Sequence, residues 1–369
     1  MENRWTVFFL ILPFLNIYYF KLEDIKPIIL LCQLIVIILA LVIIFKNLNI
    51  FIILLICLMS IVLFSSAINH TLSFGIIFSI LGLISLCIYI SYLILNYPSE
   101  LLKGLFYLCG TVLVINFTTL LLPDGIATSW NGYPIFFLGG KNSVQLTTIM
   151  CIGIIAVYSY YFHQKLKILY FSLIIIGIIS MFLSQSGTGI VLSLLLLSYL
   201  FVRIPVTLNR FLLFYLILFF SIVIFRAHEV LFGDFLINYL HKDLTFTGRT
   251  LIWDYVLDIL PNSWLLGFGR GSSLISNSFD NLYETHNGVL EILMSSGYLG
   301  IIFFTLIIFM IGNKLDKSKN DISKALTMTI MGLLILGLTE SIFFKNEFWI
   351  ILTMSYGVNN FINKSKEFL

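Results

Sequence analysis

The chain is organised as long, unbroken apolar runs separated by short polar interruptions. The runs lie near residues 5–20, 28–45, 48–68, 72–95, 102–122, 143–162, 166–184, 188–202, 208–225, 287–311, 323–344 and 347–362. Most approach the ~20 apolar residues that an α-helix needs to cross the hydrocarbon core of a bilayer. Transmembrane β-barrels alternate apolar and polar residues, and no such alternation runs through these segments. The pattern predicts an all-α, polytopic membrane protein, a single membrane domain over residues 1–369 with about 12 transmembrane helices. The run from Thr188 to Val202 is short enough to be tilted or broken. The first, from Trp5 to Phe20, lacks the small-residue cleavage site of a secretory signal and reads as the first span.

Composition narrows the class. Hydrophobic residues make up 60% of the chain and charged ones 11%, with a mean hydropathy of +1.05, against about 25% charged in ordinary soluble domains. A soluble globule has nowhere to hide so much apolar surface, which excludes that class and disorder with it. The net charge is +3 and no basic block is long enough to follow phosphates, so nucleic acid is excluded as a partner. Cys32, Cys57, Cys87, Cys109 and Cys151 all fall within apolar runs, without CxxC spacing, and read as small buried hydrophobes.

The 21 lysines and arginines set the orientation. With the N-terminus in the cytoplasm, thirteen fall on the inner side and eight on the outer, the bias expected when both termini are cytoplasmic. It is sharpest at Lys314-Leu-Asp-Lys-Ser-Lys319. Two stretches are then too long for simple connections, Pro123–Asn142 and residues 226–285, and both fall outside. Long loops in compact proteins are usually functional, and the second holds the densest polar chemistry in the chain.

Within that loop, Thr245 or Thr247 can cap a helix that ends at Pro261. Leu251, Ile252, Tyr255, Val256, Ile259 and Leu260 follow helical spacing, with Asp254 and Asp258 on another side. This predicts an amphipathic helix along the membrane surface. Arg249 falls in its first turn, where the helix dipole disfavours a cation; an anionic ligand would explain it. Gly267-Phe-Gly269-Arg270-Gly271 follows. Free amides there can form an anion-binding nest around Arg270, or the glycines can serve a tight turn between surface helices; the spacing is not that of a nucleotide P-loop. His286-Asn287 opens the tenth run, and Glu291 lies about one turn deeper. Ionisable groups so placed mark function by default. The alternatives are a histidine that snorkels to water and a packed structural acid. Glu340, near the outer end of the eleventh run, is a further acid with less to single it out.

Taken in order, Thr247-Gly-Arg249-x-x-x-Trp253, Gly267-Phe-Gly269, His286-Asn287-x-x-Leu290-Glu291 and Gly297-Tyr-Leu-Gly300 resemble the O-antigen ligase and polysaccharide polymerase family, most of all its Wzy-type polymerases of capsule or O-antigen repeat units. The motifs cover about residues 184–300; elsewhere the similarity is one of topology. The resemblance implies an inverting, metal-independent glycosyl transfer outside the bacterial cytoplasmic membrane. A growing glycan on polyprenyl pyrophosphate passes to the sugar of an incoming lipid-linked repeat unit. It implies Arg249 and His286 as catalytic residues and no cofactor. Its partners are the polyprenyl-pyrophosphate-linked oligosaccharide and the lipid bilayer, with a chain-length regulator as a further one. The family's asparagine near the start of the sixth span matches Asn142. The arginine often found near the seventh and eighth spans is missing from Ser184-Gln-Ser-Gly-Thr-Gly189, where Lys141 with Asn142, or Arg270, can take its place.

The chemistry of the residues agrees. Pyrophosphate is already a good leaving group and needs charge neutralisation most, a task for the bidentate guanidinium of Arg249 together with Arg270. An attacking hydroxyl needs a base within hydrogen-bond reach, and histidine, with an unperturbed pKa of about 6.5, suits that role at His286. Gly267, Gly269, Lys141, Asn142, Asn287 and Glu291 join Arg270 as candidate substrate-binding residues. No DxD pair exists to hold a metal for a nucleotide-sugar donor, and Glu23 and Asp24 in the first outer loop are lesser candidates for catalysis. Three readings compete: an O-antigen ligase joining glycan to lipid A core, which the motifs do not separate from a polymerase; a lipid-linked oligosaccharide transporter; and a structural scaffold. Transporters place ionisable groups in several spans near the midplane and show pseudo-repeats, whereas here they gather in one outer loop.

Overall fold

In the computed structural model, residues 3–129, 132–163, 168–201, 207–227, 248–279 and 284–368 are described. The helices are α1 (Arg4–Ile11), α2 (Lys26–Asn47), α3 (Ile50–Ile68), α4 (Phe74–Asn96), α5 (Pro98–Leu120), α6 (Ser143–Tyr161), α7 (Ile168–Leu183), α8 (Gly187–Phe201), α9 (Leu208–Phe219), α10 (Arg249–Ile259), α11 (Leu274–Ser278), α12 (Gly288–Ser318), α13 (Asp321–Gly337), α14 (Asn346–Tyr356) and α15 (Val358–Ser365). Asn49, Ser73, Asn287 and Asn320 cap α3, α4, α12 and α13 with their side-chain oxygens, the role expected of short polar residues directly before an apolar run. The fold is nearly all-α. Strand structure among the described residues is a small hairpin, β1 (Ala127–Thr128) antiparallel to β2 (Pro134–Ile135), within the first long loop.

Among the described residues, six helices are long and apolar enough to cross a membrane: Lys26–Phe45 of α2, then α3, α4, α5, α6 and α12. Shorter apolar helices cover Arg4–Phe14, α7, Gly187–Leu197 and Leu208–Ile224. Several apolar runs are thus broken where the run alone would continue. Pro13 sits in a 3-10 turn that ends in extended backbone at Leu15, because proline lacks the amide an α-helix requires. The eleventh run extends to 344, but α13 stops at Gly337 and residues 338–345 form a turn that carries Glu340. The twelfth divides at Gly357 into α14 and α15.

Packing sorts the helices by depth. α6 is buried over most of its length and packs on α5, α7 and α13. α2 lies at the edge against α4 and leaves Ile28, Leu31, Ile38, Leu41, Val42 and Phe45 exposed, Phe45 to 91%. So large an apolar face on the outside belongs against lipid. α12 packs on α3 and is interrupted at Gly297, whose φ of 61° and ψ of −158° are not helical. The connections gather at two ends. At one end Tyr18 donates to the carbonyl of Phe137, Thr285 meets Ser341 and Thr188 meets Thr339. At the other, the Arg4 amide donates to Glu100, Asp316 accepts from the start of α9 and His163 meets the carbonyl of Ser365.

Candidate functional site

The predicted surface helix exists as α10, and it starts at Arg249. Its cap position is Gly248, in the left-handed region at φ 82° and without a side-chain cap; Thr245 and Thr247 lie outside the described residues, as do His228, Glu229, Gly233, Asp234 and His241–Asp243. Ile252, Val256 and Leu260 are buried as the spacing predicts, whereas Leu251 is exposed. Two fully buried residues that the amphipathic pattern omits are Thr250 and Trp253, and the indole Nε1 of Trp253 donates to the carbonyl of Thr285 at 3.1 Å. Arg249 and Trp253 are four apart and therefore share a helix face. One anchors α10 beside His286 and the other delivers a guanidinium there. Asp254 pairs with Arg226.

The anion that meets Arg249 belongs to the protein itself. Arg249 Nη2 donates to Glu340 Oε1 at 2.5 Å, and the two side chains are only 16% and 14% exposed. A carboxylate at this helix start offsets both the guanidinium and the positive end of the helix dipole. The second oxygen of Glu340 lies 3.7 Å from His286 Nδ1, beyond hydrogen-bond distance. That Nδ1 is buried without a hydrogen-bond partner. Arg249, Glu340 and His286, from three separate segments, thus meet around one carboxylate.

His286 is held by its neighbours. Thr285 and Asn287 are fully buried. Thr285 Oγ1 lies 2.8 Å from the Asn287 carbonyl, 3.0 Å from Glu291 Oε2 and 3.1 Å from Ser341 Oγ. Asn287 accepts from the amides of Val289 and Leu290 and donates to the carbonyl of Leu338. Its side chain is occupied in capping α12 and tying it to the 338–345 turn, a positioning role that leaves it no open face for substrate. Between them His286 adopts φ 50°, a left-handed backbone uncommon outside glycine. Glu291 is bonded to Thr285. Lys345 extends the same seam to Glu284 at 3.1 Å.

The glycine-rich segment is a joint. The amide of Gly267 donates to Ser263, that of Phe268 to Met294 in α12, and that of Arg270 to Ser66 Oγ at the end of α3. Those amides are therefore turned into the protein, and the anion nest expected from the sequence is not formed by them. Gly267 has φ 70°, and a Cβ there would meet the carbonyl oxygens of Leu293 and Met294 and the amide of Gly297 at 2.5, 2.6 and 2.8 Å. Gly269 packs on Ser66 in the same manner. The loop thereby fills the break in α12: Trp264 and Leu265 accept from Tyr298 and Leu299. The two glycine motifs, 30 residues apart at Gly267 and Gly297, are halves of one contact. Arg270 lies with its guanidinium 5.2 Å from the ring centroid of Phe344. Burial pulls its pKa below the usual value, opposed by Glu291 and Glu284. Both arginines consequently flank the 338–345 turn.

Lys141 lies over the ring of Tyr133, and Asn142 precedes α6 without capping it by its side chain. Among the described residues neither is bonded to Arg249, Glu340 or His286. Glu23 and Asp24 are exposed, in the turn before α2. The Ser184–Gly189 segment, which lacks the family's arginine, does reach the site: Ser184 accepts from Gln145 and Thr188 Oγ1 lies 2.9 Å from Thr339 Oγ1, next to Glu340. A second carboxylate that sequence reasoning did not single out, Glu347, is buried at this end, accepting from the Asn16 amide and Thr147. Its signal is an acid at the head of an apolar run.

Residues 135–305 match the model of the family described as O-antigen ligase. The matched segment, a little under half the chain, contains Arg249, Arg270, His286 and Glu291 and ends before Glu340. The match agrees with the resemblance carried by the motifs: over that segment the chain is similar to the O-antigen ligase family. No curated protein and no solved structure matches the chain.

Proposed function

We propose that this membrane protein polymerises polysaccharide repeat units, passing a glycan from polyprenyl pyrophosphate to the hydroxyl of a lipid-linked acceptor. The observation that carries the reading is the meeting of Arg249, Glu340 and His286 at one end of the bundle. The acceptor oxygen attacks the anomeric carbon from the face opposite the pyrophosphate. The bond from that carbon to the pyrophosphate oxygen breaks and takes the electron pair with it. The hydroxyl proton passes to His286. In the tautomer that carries its proton on Nδ1, the nitrogen nearer the Glu340 charge, the lone pair of Nε2 is left to accept it. Arg249, with four N–H groups beyond the one on Glu340, neutralises the departing pyrophosphate, and Arg270 supplies a second cation on the other flank of the turn. Neither role calls for a metal or a cofactor.

Twelve crossings with both termini cytoplasmic complete the proposal. The gathering of connections at two ends and the thirteen-to-eight division of lysine and arginine support it. The site then faces outward, where lipid-linked sugars arrive. A ligase reading is favoured by the description of the matching family itself; its acceptor would be lipid A core. Purified protein given polyprenyl-pyrophosphate-linked repeat units, without nucleotide sugar or divalent metal, should yield a ladder of polymer. Transfer to lipid A core alone would select the ligase, and no transfer to either acceptor would reject both.

A further inference from the structure

A cleft of about 360 Å³ opens at the end of the bundle opposite Arg249, between the start of α3, the end of α4, α12 and the junction of α14 with α15. That volume falls in the range of small-ligand sites. Lys314, Asn359 and Asn360 belong to its polar lining, and no carboxylate lines it. Asp316, the acid nearest to Lys314 in sequence, is engaged elsewhere: its two oxygens accept from the amides of Leu208 and Asn209 at the start of α9. The ammonium of Lys314 donates to the carbonyl of Tyr356 at 3.2 Å and stands 3.3 Å from the centroid of its ring. A lysine has three donors, so the carbonyl accounts for one of them. The starts of α3 and α15 and the ends of α4 and α14 all border the cleft, so the helix dipoles largely offset one another there and the positive charge is that of Lys314. Leu48 and Leu95, each about half exposed, also line it.

We propose that this cleft binds a phosphate group, held by Lys314 and the side-chain amides of Asn359 and Asn360. A phospholipid headgroup fits best, because Leu48 and Leu95 offer apolar surface to an acyl chain beside a charged recess. A soluble phosphate ester presents the same anion. The site shares no residue with the Arg249–Glu340–His286 trio and does not rest on the reaction proposed for it.

The test is thermal unfolding of the full-length protein in neutral detergent at constant ionic strength, titrated separately with phosphatidylglycerol, phosphatidylcholine and inorganic phosphate. Phosphatidylglycerol should raise the midpoint saturably, phosphatidylcholine much less. In Lys314→Gln the apparent affinity should fall about tenfold, the scale of losing one charge-assisted hydrogen bond. Asn360→Leu tests the same cleft if Lys314→Gln folds poorly. Lys366→Gln, an exposed cation at the same end, should leave the titration unchanged. A saturable shift with inorganic phosphate that is lost in Lys314→Gln would support the site with a soluble occupant. Equal responses of wild type, Lys314→Gln and Asn360→Leu to every additive would overturn the proposal. So would an equal loss in Lys366→Gln, which would mark a diffuse surface charge effect.

Discussion

Arg249 and Glu340 are 91 residues apart in sequence and joined by an ion pair largely shielded from solvent. Their pairing makes Glu340 the hinge of the site: one oxygen is spent on the guanidinium and the other faces the imidazole of His286. Glu340→Gln keeps the shape and removes the charge. It should lower turnover by about 10²-fold, the cost of misplacing groups around a reaction centre, and lower the unfolding midpoint because Arg249 is left without its counter-charge. Turnover per molecule and thermal unfolding check the two effects separately. Wild-type values for both would remove Glu340 from the site.

Arg249→Lys retains the charge and loses the planar fork that binds Glu340 and a phosphate oxygen together. Polymer should drop strongly at equal protein level, and Arg249→Ala should make almost none. Normal chain length and amount in Arg249→Ala would end the assignment of that residue to the leaving group.

His286→Ala should insert in the membrane and still bind lipid-linked donor, while turnover falls about 10²–10⁴-fold, the usual weight of general-base assistance. Single repeat units should accumulate on the carrier. A histidine that merely anchors the headgroup region predicts the reverse, lower protein yield with near-normal turnover per molecule, and the two are separated by measuring both.

Gly267→Ala and Gly297→Ala each force a Cβ onto backbone at 2.5 Å or less in a left-handed conformation. Each should cost at least the ~1–3 kcal/mol of a strained backbone. Because both act on one contact, the double variant should lose less than the two losses added together, as read from unfolding midpoints.

The orientation is open to labelling. Ser278 is exposed near the end of α11. A cysteine placed there in a background without Cys32, Cys57, Cys87, Cys109 and Cys151 should react with an impermeant thiol reagent in intact cells. Reaction only after lysis would place the site on the cytoplasmic side.

The helical class was legible because apolar run length is a local property, and the motif residues were legible because Arg249, Arg270 and His286 are charged or titratable where the surroundings are not. Other features depend on partners far along the chain. Glu340 looks like a stray acid until α10 is folded against the 338–345 turn. The first-turn position of Arg249 does call for an anion, but sequence alone does not reveal that the protein provides one. Trp253 escapes an amphipathic count because it is buried against residues far along the chain, where its indole donates to the carbonyl of Thr285. Considered by itself, the Gly267–Gly271 segment reads as either an anion nest or a tight turn, and its joint becomes visible only when Gly267 meets Gly297.

The length of α12 also bears on how high the proposed site would stand relative to the lipid. The helix has 31 residues, roughly 46 Å at a rise of ~1.5 Å per residue, well beyond the ~30 Å of a hydrocarbon core. The part after the break, Tyr298–Ser318, measures about 31 Å by the same rise, but Asn313, Lys314, Asp316 and Lys317 occupy its end and leave about 22 Å of apolar helix, so a crossing draws in the turn or so just before Gly297. On the proposed orientation the first residues of the helix, with His286 and Asn287 before them, then stand at the outer edge of the acyl layer, at the level of phosphates and sugars. A water-soluble saccharide on a buried lipid tail can meet His286 there without being dragged into hydrocarbon.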